Sequence, residues 1–389
     1  MEDKQDFIKS ELRALKSHAI YRRLRIIHNL DSYAMVNGRK TINLSSNDYL
    51  GLSQHPKVIK ELVHCVVEVS PCSSRLVAGN TPEISDLERR LAEHRRTESS
   101  LVFPSGYTAV MGTLTAIANK QTMIFSDELN HASIVDGCRL SGAKIFVFRH
   151  NDSAHLDQLM NKNRGSKKIV VTEGVFSITG EISDLKSICK IANEHEALTL
   201  VDDAHGDFIF GPSGRGTPSD LRVNSLVDVH ISSLSKGLGC FGGYVATSND
   251  IQKFLINKSR QFIFTSAVPS HLCRASIAAI RLTKSGALQK RLFANIEIVR
   301  KWLKGHTFEI GKSRSQIIAL QIGDEATASK FAAMSLKNGV FIYPMRYPSV
   351  KRGSSVIRLS LTSMHRKVQL LKALQVLEKV KMRLFFSKY

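Results

Sequence analysis

The sequence predicts an α/β fold in which a mainly parallel sheet is covered on both faces by helices. From about residue 56 onward, segments with helical periodicity alternate with strands that are short and apolar. This alternation is typical of parallel sheets, whose strands are buried on both faces. At 389 residues, the chain is long enough for a large domain with a smaller one. In such sheets, functional groups collect beyond the carboxyl ends of the strands.

The elements of this region follow one another at short intervals. Helices are expected at 56–69 and 82–97. Strands are expected at 100–103, 123–125, 144–148, 168–172, 198–202, 229–232 and 243–247. The predicted large domain covers residues 51–285.

The two ends of the chain have a different character. Residues 3–28 predict one or two amphipathic helices, and residues 34–44 predict a hairpin that turns at Asn37-Gly38. Residues 1–50 are therefore assigned to an N-terminal helical and hairpin segment. A small C-terminal α+β domain is predicted over residues 286–389. Its helices are expected at 289–304, 326–338 and 366–384, and its strands at 315–322, 340–343 and 355–361.

The bulk composition is that of a globular protein, with 43% hydrophobic and 23% charged residues. No apolar stretch reaches the length of a membrane span. The first six residues carry acids and no apolar core, so we expect no signal peptide and a cytoplasmic location. The six cysteines include no C-x-x-C pair, and no metal site is predicted.

The net charge is +21, from 55 basic and 34 acidic residues. Such an excess favours anionic partners, including nucleic acids and phosphate-bearing substrates. No zinc-finger, RNP or basic-zipper pattern accompanies the charge, so nucleic acid is not the preferred partner. A basic nucleic-acid-binding protein nevertheless stays open as an alternative from another functional class.

The most informative residue is Lys236, which follows the apolar strand 229–232 and enters a glycine-rich bend. A second apolar strand, 198–201, is followed by Asp202. An amine and a carboxylate at the ends of two buried strands suit a pyridoxal phosphate enzyme. The amine forms a Schiff base with the cofactor aldehyde, and the carboxylate keeps the pyridine nitrogen protonated.

A competing interpretation comes from Gly237, Gly239 and Gly242, which form a literal G-x-G-x-x-G sequence after a strand. A dinucleotide site requires this sequence to open a helix. Here residues 243–247 predict another strand, and a lysine before the first glycine has no role in that fingerprint. A dinucleotide enzyme is therefore the weaker alternative.

Several motifs together resemble the α-oxoamine synthase family, whose members are pyridoxal phosphate enzymes of aminotransferase fold type I. The motifs occur in order and the resemblance runs from about residue 40 to 365. They are Asn43–Leu52 (NLSSNDYLGL), Ser74–Gly79 (SRLVAG), Thr172–Ser177 (TEGVFS), Val201–Gly206 (VDDAHG) and Ser232–Gly239 (SSLSKGLG). These enzymes condense an amino acid with an acyl thioester and release carbon dioxide.

The resemblance implies roles for residues around the cofactor. Lys236 would be the Schiff-base lysine and the base that removes the Cα proton, and Asp202 would pair with the pyridinium nitrogen. His205, helped by Ser177, would bind the phenolic oxygen, and His131 would stack on the ring. The phosphate would be bound by Ser105, Gly106, Tyr107, Ser233 and, from a neighbouring subunit, Thr265.

The resemblance also implies substrate contacts and a homodimer with its active site at the interface. Arg358 would bind the amino acid carboxylate in a fork, and Asn47 would lie near the substrate. One of Arg22, Arg23 and Arg25 would serve the acyl site, and Arg22 is preferred. The expected substrates are an amino acid and an acyl thioester of coenzyme A or acyl carrier protein.

Within the family, the sequence Asp202–Gly206 (DDAHG) and the following Gly214–Gly216 (GRG) resemble the branch that joins L-alanine to a pimeloyl thioester in biotin synthesis. Branches that use glycine or serine, or another acyl chain, are the alternative. The chain departs from the family pattern at Asp207–Phe210 (DFIF), where a small residue is usual near Gly206, and this departure bears on the acyl-chain specificity.

Overall fold

A computed structural model describes residues 4–66, 68–165, 167–306 and 308–386. The chain contacts define two units. The central unit comprises residues 47–177 and 181–290, and the terminal unit comprises residues 1–46, 178–180 and 291–389. The predicted three-part division at residues 50 and 285 stays a prediction. The first three residues, on which the expectation about a signal peptide partly depends, lie outside the described residues, as do the last three of the C-terminal domain assignment.

The helices and strands follow the predicted order. The elements are α1 (Asp6–Ser17), β1 (Ile27–Leu30), β2 (Tyr33–Val36), β3 (Arg39–Asn43), α2 (Pro56–His64), α3 (Pro82–Arg95), β4 (Ser99–Phe103), α4 (Gly106–Ile117), β5 (Met123–Asp127), α5 (Ala132–Ser141), β6 (Lys144–Phe148), α6 (Ser153–Lys162), β7 (Lys168–Glu173), α7 (Leu185–Glu194), β8 (Leu198–Asp202), α8 (Thr217–Asp220), β9 (Val229–Ser233), β10 (Gly243–Thr247), α9 (Asn249–Lys258), α10 (Arg260–Ile263), α11 (Ser270–Thr283), α12 (Ala287–Gly305), β11 (Ile317–Gly323), α13 (Glu325–Lys337), β12 (Val340–Phe341), β13 (Tyr343–Met345), β14 (Ser355–Ser360) and α14 (Lys367–Phe385). A π-helical turn at Arg75–Gly79 and 3-10 turns at Pro212–Gly214 and Asn224–Leu226 complete the series.

The central unit is built on a seven-stranded sheet in the order β4-β10-β9-β8-β7-β5-β6. The pairs from β9 through β8, β7 and β5 to β6 are all parallel, whereas β10 is antiparallel to both of its neighbours. The predicted α/β class with a mainly parallel sheet is thereby confirmed.

Both faces of this sheet are buried, because alternate residues of each strand point to opposite faces. On β7, Ile169 and Val171 pack in one cluster with side chains of α4 and α5. Val170, between them, packs in another cluster with Leu156 of α6 and Ile188 of α7. This two-sided burial explains why apolar residues occur at consecutive positions of β7.

The carboxyl ends of β7, β8 and β9 lie at one edge of the sheet, since these strands are parallel neighbours. In the β7–β8 register, Glu173 is the partner of Asp202. The segment after β9 carries Lys236. The sheet therefore gathers polar residues from separate parts of the sequence at this edge.

The terminal unit contains two smaller sheets, in the orders β1-β2-β3-β12 and β11-β14-β13. The hairpin predicted at Asn37-Gly38 joins β2 and β3. The helical prediction over residues 3–28 is wrong beyond Ser17, because Ala19 adopts a left-handed φ of 56° and residues 27–30 form a strand.

The single strand predicted at 340–343 is two strands. Val340 and Phe341 pair in parallel with β3, whereas Tyr343 and the residues after it pair with β14 in the other sheet. A short apolar run does not specify its pairing partners, so the sequence could not show this division.

No helix among the described residues is long and apolar enough to cross a membrane.

Truncation of the core should be costly in the middle of the central sheet. Leu200 is fully buried on β8, whereas Leu198 on the same strand is 38% exposed. We expect Leu200→Ala to lower the free energy of unfolding by about 2–5 kcal/mol, since it removes buried methyl groups and leaves a cavity. Urea denaturation measures the loss, and Leu198→Ala is the matched control. Equal losses in the two variants would contradict the packing described here.

Candidate functional site

Lys236 lies in a tight bend between β9 and β10. The amide of Leu234 donates to the carbonyl of Gly242 over 3.0 Å, and the amide of Gly239 donates to the carbonyl of Lys236 over 3.0 Å. Gly239 has a φ of 65°, and a Cβ added there would lie 2.6 Å from the amide nitrogen of Ser53. The bend leads directly into a strand, so these glycines do not form the helix-opening turn of a dinucleotide site.

The Lys236 amine contacts a chain of polar side chains in the central unit. Its Nζ lies 2.9 Å from Nε2 of His205, and Nδ1 of His205 lies 2.7 Å from the hydroxyl of Tyr49. The Tyr49 hydroxyl donates to Oδ1 of Asn47 over 3.0 Å. One set of donors satisfies all three contacts: Lys236 donates to Nε2, Nδ1–H donates to Tyr49, and Tyr49 donates to Asn47. This arrangement holds a neutral His205 with its proton on Nδ1.

His205 and Tyr49 are both buried, with exposed fractions of 4% and 0%. Burial removes the competition of water for these hydrogen bonds and restricts the imidazole to one orientation. The ring therefore presents Nε2 to Lys236 in a fixed direction. An amine beside a neutral imidazole can bind a carbonyl group and exchange protons.

Two carboxylates and a second histidine lie in the electrostatic field of Lys236. Burial raises the pKa of Glu173 well above its usual value, and repulsion from Asp202 raises it further, against the opposing charge of Lys236. Burial also shifts the pKa of His131, which it lowers. The charge of Asp202 raises this pKa, and the charge of Lys236 lowers it further. Glu173 is thereby favoured as a neutral acid and His131 as a neutral imidazole.

Glu173 has one engaged and one unengaged oxygen. Its Oε2 accepts from the amide of Ser177 over 3.2 Å. Its Oε1 is buried and has no hydrogen-bond partner within the part of the chain that the structure describes. A buried polar atom of this kind marks a place where a bound group can complete the hydrogen bonding.

A second group of hydroxyls and amides surrounds the start of α4. Ser105 caps this helix, and its hydroxyl accepts from the amide of Thr108 over 3.1 Å. The hydroxyls of Ser233 and Ser235 lie 2.8 Å apart, and a Cβ added to Gly106 would lie 3.0 Å from Cβ of Ser233. The start of a twelve-residue helix, with free amides and nearby hydroxyls, is suited to a phosphate group.

A buried ionic network supports the residues that follow β8. Arg95, at the end of α3, is fully buried. Its guanidinium donates to Oδ2 of Asp203 over 3.0 Å and to the Tyr244 hydroxyl over 3.0 Å, and it lies 3.3 Å from Oδ1 of Asp207. Oδ1 of Asp207 also lies 3.0 Å from Nε2 of His94. The network thus joins α3 to both sides of the Asp202–His205 segment.

The pKa values of the two carboxylates in the network are shifted in opposite directions, although both residues interact with Arg95. Burial raises the pKa of Asp203 to about 6, while Arg95 acts in the opposite direction. The pKa of Asp207 falls to about 2, because Arg95, His94 and Tyr244 together outweigh its burial. The negative charge of Asp207 also raises the pKa of Asp203, so Asp207 keeps its charge at lower pH than Asp203.

Glycines make room for the Asp203 carboxylate. A Cβ added to Gly206 would lie 2.1 Å from Oδ1 of Asp203, and one added to Gly216 would lie 1.9 Å from Oδ2. The packing around this ion pair therefore excludes any side chain at either position.

Comparison with known proteins places the chain in a family. The sequence profile of the family described as aminotransferase class I and II matches residues 39–377. The 8-amino-7-oxononanoate synthase of Thermoanaerobacter pseudethanolicus is 39% identical over 381 residues, covering 96% of each chain. That of Geotalea daltonii is 40% identical over 364 residues, covering 91% of this chain and 92% of the relative.

The chain belongs to the aminotransferase class I and II family. Among solved structures, the serine palmitoyltransferase of S. paucimobilis with a bound PLP–myriocin aldimine has a TM-score of 0.92, with 27% identity and 98% coverage of both chains. The predicted family resemblance and the predicted fold type are both confirmed. Most of the predicted cofactor residues lie in the central unit of this chain, within the groups of residues described above.

The remaining predicted site residues are placed as follows. Thr265 is half-buried in the bend between α10 and α11. Tyr107 is on the first turn of α4 and donates to Oδ2 of Asp136. In the terminal unit, Arg358 is buried on β14 and donates to the Ser360 hydroxyl over 2.8 Å, while Arg22 is exposed in the irregular segment before β1. Their roles stay predictions.

Sequence reasoning missed Tyr49, Glu173 and Arg95. Tyr49 is within a motif that carries the family resemblance, and Glu173 ends a predicted strand beside Asp202, so both had a detectable signal. Arg95 follows Ile84, Leu87 and Leu91 on the buried face of α3. A basic residue at an apolar position of a helix is the signal that could have identified it.

Loss of the Arg95 guanidinium should destabilise the protein strongly. Arg95→Met leaves Asp203 and Asp207 buried without their shared cation, and we expect a loss of about 3–5 kcal/mol in the free energy of unfolding. Urea denaturation at pH 7 measures the effect. Arg89→Met on the exposed face of α3 is the control and should unfold close to the parent chain, because water screens its ion pairs. A parent-like Arg95→Met protein would show that the network contributes little.

Proposed function

We propose that this chain is an 8-amino-7-oxononanoate synthase that condenses L-alanine with a pimeloyl thioester in biotin synthesis. The observation that carries the proposal is the distance of 2.9 Å between Nζ of Lys236 and Nε2 of His205. Asp202 and Lys236 also act electrostatically on the same neighbouring side chain. Relatives of that name match nearly the whole chain at up to 40% identity. The enzyme class is a pyridoxal-phosphate-dependent acyltransferase.

The cofactor is pyridoxal phosphate, and the residues present fit its chemistry. Lys236 would hold the aldehyde, Asp202 the ring nitrogen, and His131 the ring face. His205 and Ser177 would bind the phenolic oxygen. Oε1 of Glu173 is buried without a hydrogen-bond partner among the described residues, so it is able to accept or donate a further hydrogen bond. The phosphate would be held by Ser105, Gly106, Tyr107, Ser233 and Thr265. When bound, the cofactor supplies an electron sink for negative charge at the substrate Cα.

Lys236 would move the proton at the substrate Cα. A free amine is a base, and its contact with Nε2 of His205 holds it in one direction. After taking the proton, Lys236 is an ammonium group, which would return a proton to Cα at the end of the reaction. His205 is held by Tyr49 and Asn47, so the direction of the amine is maintained through both transfers.

The substrates supply the bonds that change. A bond forms between Cα of alanine and the thioester carbonyl carbon, and the C–S bond breaks to release the thiol. The bond from Cα to the carboxylate then breaks, releasing carbon dioxide. Arg358 would bind the amino acid carboxylate before this step, Asn47 would lie beside the substrate, and Arg22 would serve the acyl site.

The thiol carrier and the assembly complete the proposal. A net charge of +21 suits an acidic carrier, either coenzyme A or acyl carrier protein. The active protein would be a cytoplasmic homodimer, with Thr265 binding the phosphate of the neighbouring subunit's cofactor.

A sister synthase that uses serine or glycine is the second candidate. It is supported by the TM-score of 0.92 to the serine palmitoyltransferase of S. paucimobilis. The sequence identity of 27% to that protein is lower than the 39% to the Thermoanaerobacter synthase, so alanine is preferred.

Substrate choice is measured by thiol release and by mass spectrometry of the amino ketone. Purified protein should release thiol from pimeloyl coenzyme A with L-alanine at least about tenfold faster than with glycine or L-serine, because a mismatched side chain is discriminated by about 1–3 kcal/mol. Faster reaction of L-serine with palmitoyl coenzyme A would move the assignment to the sister branch. Absence of reaction with every pair would refute the condensing activity.

Lys236→Ala tests the covalent attachment of the cofactor. Borohydride treatment of the parent chain should add the mass of reduced cofactor to the peptide containing Lys236, whereas Lys236→Ala should gain none because it lacks the amine. Lys258→Ala, which changes a lysine at the end of α9, should be labelled like the parent. Labelling of Lys236→Ala at another lysine would reject the assigned role.

A further inference from the structure

A cleft in the terminal unit is lined by none of the residues assigned above. It has a volume of about 430 Å³ and is formed by β2, β3, the start of β12 and the first turns of α14. Its lining residues are Tyr33, Lys40, Ile42, Asn338, Gly339, Val340, Arg366, Val368, Gln369 and Lys372. This volume falls within the range of small-molecule sites.

The lining contains three cations and no acidic residue. Lys40, Arg366 and Lys372 are exposed at the cleft. In the part of the chain that the structure describes, none of the three forms an ion pair with a carboxylate. Other exposed cations do pair, for example Arg149 with Asp152 over 2.7 Å. The cleft therefore concentrates unneutralised positive charge.

The polar floor of the cleft is held in place by hydrogen bonds. Gln369 is 5% exposed, and its Nε2 donates to the Ser32 hydroxyl over 3.1 Å while its Oε1 accepts from the Arg366 amide over 2.7 Å. A hydrogen bond from Gln369 lowers the pKa of Tyr33, and the charges of Arg366 and Lys40 lower it further. The phenol thus already lies in a field that favours negative charge.

The cleft also offers apolar surface. Ile42 and Val340 are buried beneath it, and Nζ of Lys40 lies 4.6 Å from the centroid of the Tyr33 ring. α14 is a helix of nineteen residues that begins after its N-cap, Arg366. Its first backbone amides have no acceptors within the helix, so they remain available at this end of it. The combination provides donors for an anion and a surface for its uncharged part.

We propose that this cleft binds a phosphate-bearing small molecule with an apolar or aromatic body. Three cations and a phenol can donate hydrogen bonds to the several oxygens of a phosphate group. A single carboxylate has fewer oxygens and would leave some of these donors unused. The site is distinct from the residues that hold the cofactor phosphate and does not depend on the proposed reaction. Both a free nucleotide and the nucleotide part of a thiol carrier have this chemistry.

The proposal is tested by calorimetric titration of the full-length protein with adenosine 3′,5′-bisphosphate. The protein is first loaded with pyridoxal phosphate and reduced with borohydride, so that the cofactor phosphate site is filled. We expect saturable binding to one site per chain, competition by inorganic phosphate, and an affinity that falls about tenfold or more in Lys40→Ala/Lys372→Ala. Adenosine 3′,5′-bisphosphate is the nucleotide part of coenzyme A, so a parallel titration with adenosine 5′-monophosphate shows whether a free nucleotide without the 3′-phosphate also binds there.

The matched control is Lys301→Ala/Lys304→Ala, which removes two exposed lysines of α12 and the same net charge. It should retain parent affinity, and the thermal midpoints of all variants verify folding. Tyr33→Phe, which keeps the ring and removes the hydroxyl, should weaken binding without changing the fold. An equal loss in the control, binding that does not saturate, or no competition by inorganic phosphate would overturn the proposal.

Discussion

The guanidinium of Arg95 is the contact on which the candidate site depends. It is fully buried between Asp203 and Asp207, two residues that bracket His205 and follow Asp202. A buried charge is costly unless it is paired, and here the hydrogen bonds go to the Asp203 carboxylate, a phenol and a backbone carbonyl, while Asp207 lies within ion-pair distance. The network keeps the chain after β8 in one conformation. The orientation of the functional residues on that segment follows from it.

The parallel sheet contributes the second constraint. Because β7, β8 and β9 are parallel neighbours, Glu173 and Asp202 end side by side and the segment with Lys236 begins at the same edge. Burial raises the pKa of Glu173, and the neighbouring Asp202 raises it further, which favours a neutral acid beside Asp202. His205 contacts Lys236 at the same edge of the sheet. The site thus brings together an amine, an imidazole and two carboxyl groups.

The basic residues of the chain lie in different electrostatic surroundings. On α3 and elsewhere, several arginines pair with nearby acids. Among the described residues, the three cations of the cleft beside Tyr33 have no such partner, and the buried Gln369 there is already oriented by its neighbours. Net charge alone indicated anionic partners but not their place. The distribution of acids around each cation decides where an anion is favoured.

The sequence by itself determined the fold class and the family, and it indicated Lys236 and Asp202 as candidate residues of the site. Apolar strands report burial on both faces, and Lys236 and Asp202 follow two such strands, so local patterns were sufficient. Only the tertiary structure showed that Tyr49 orients His205, that Glu173 pairs in register with Asp202, and that Arg95 spans two carboxylates more than a hundred residues away. It also separated the run at 340–343 into two sheets. The physical reason is that hydrogen bonds and ion pairs are short-ranged contacts between residues distant in sequence, and periodicity carries no record of which distant residues meet.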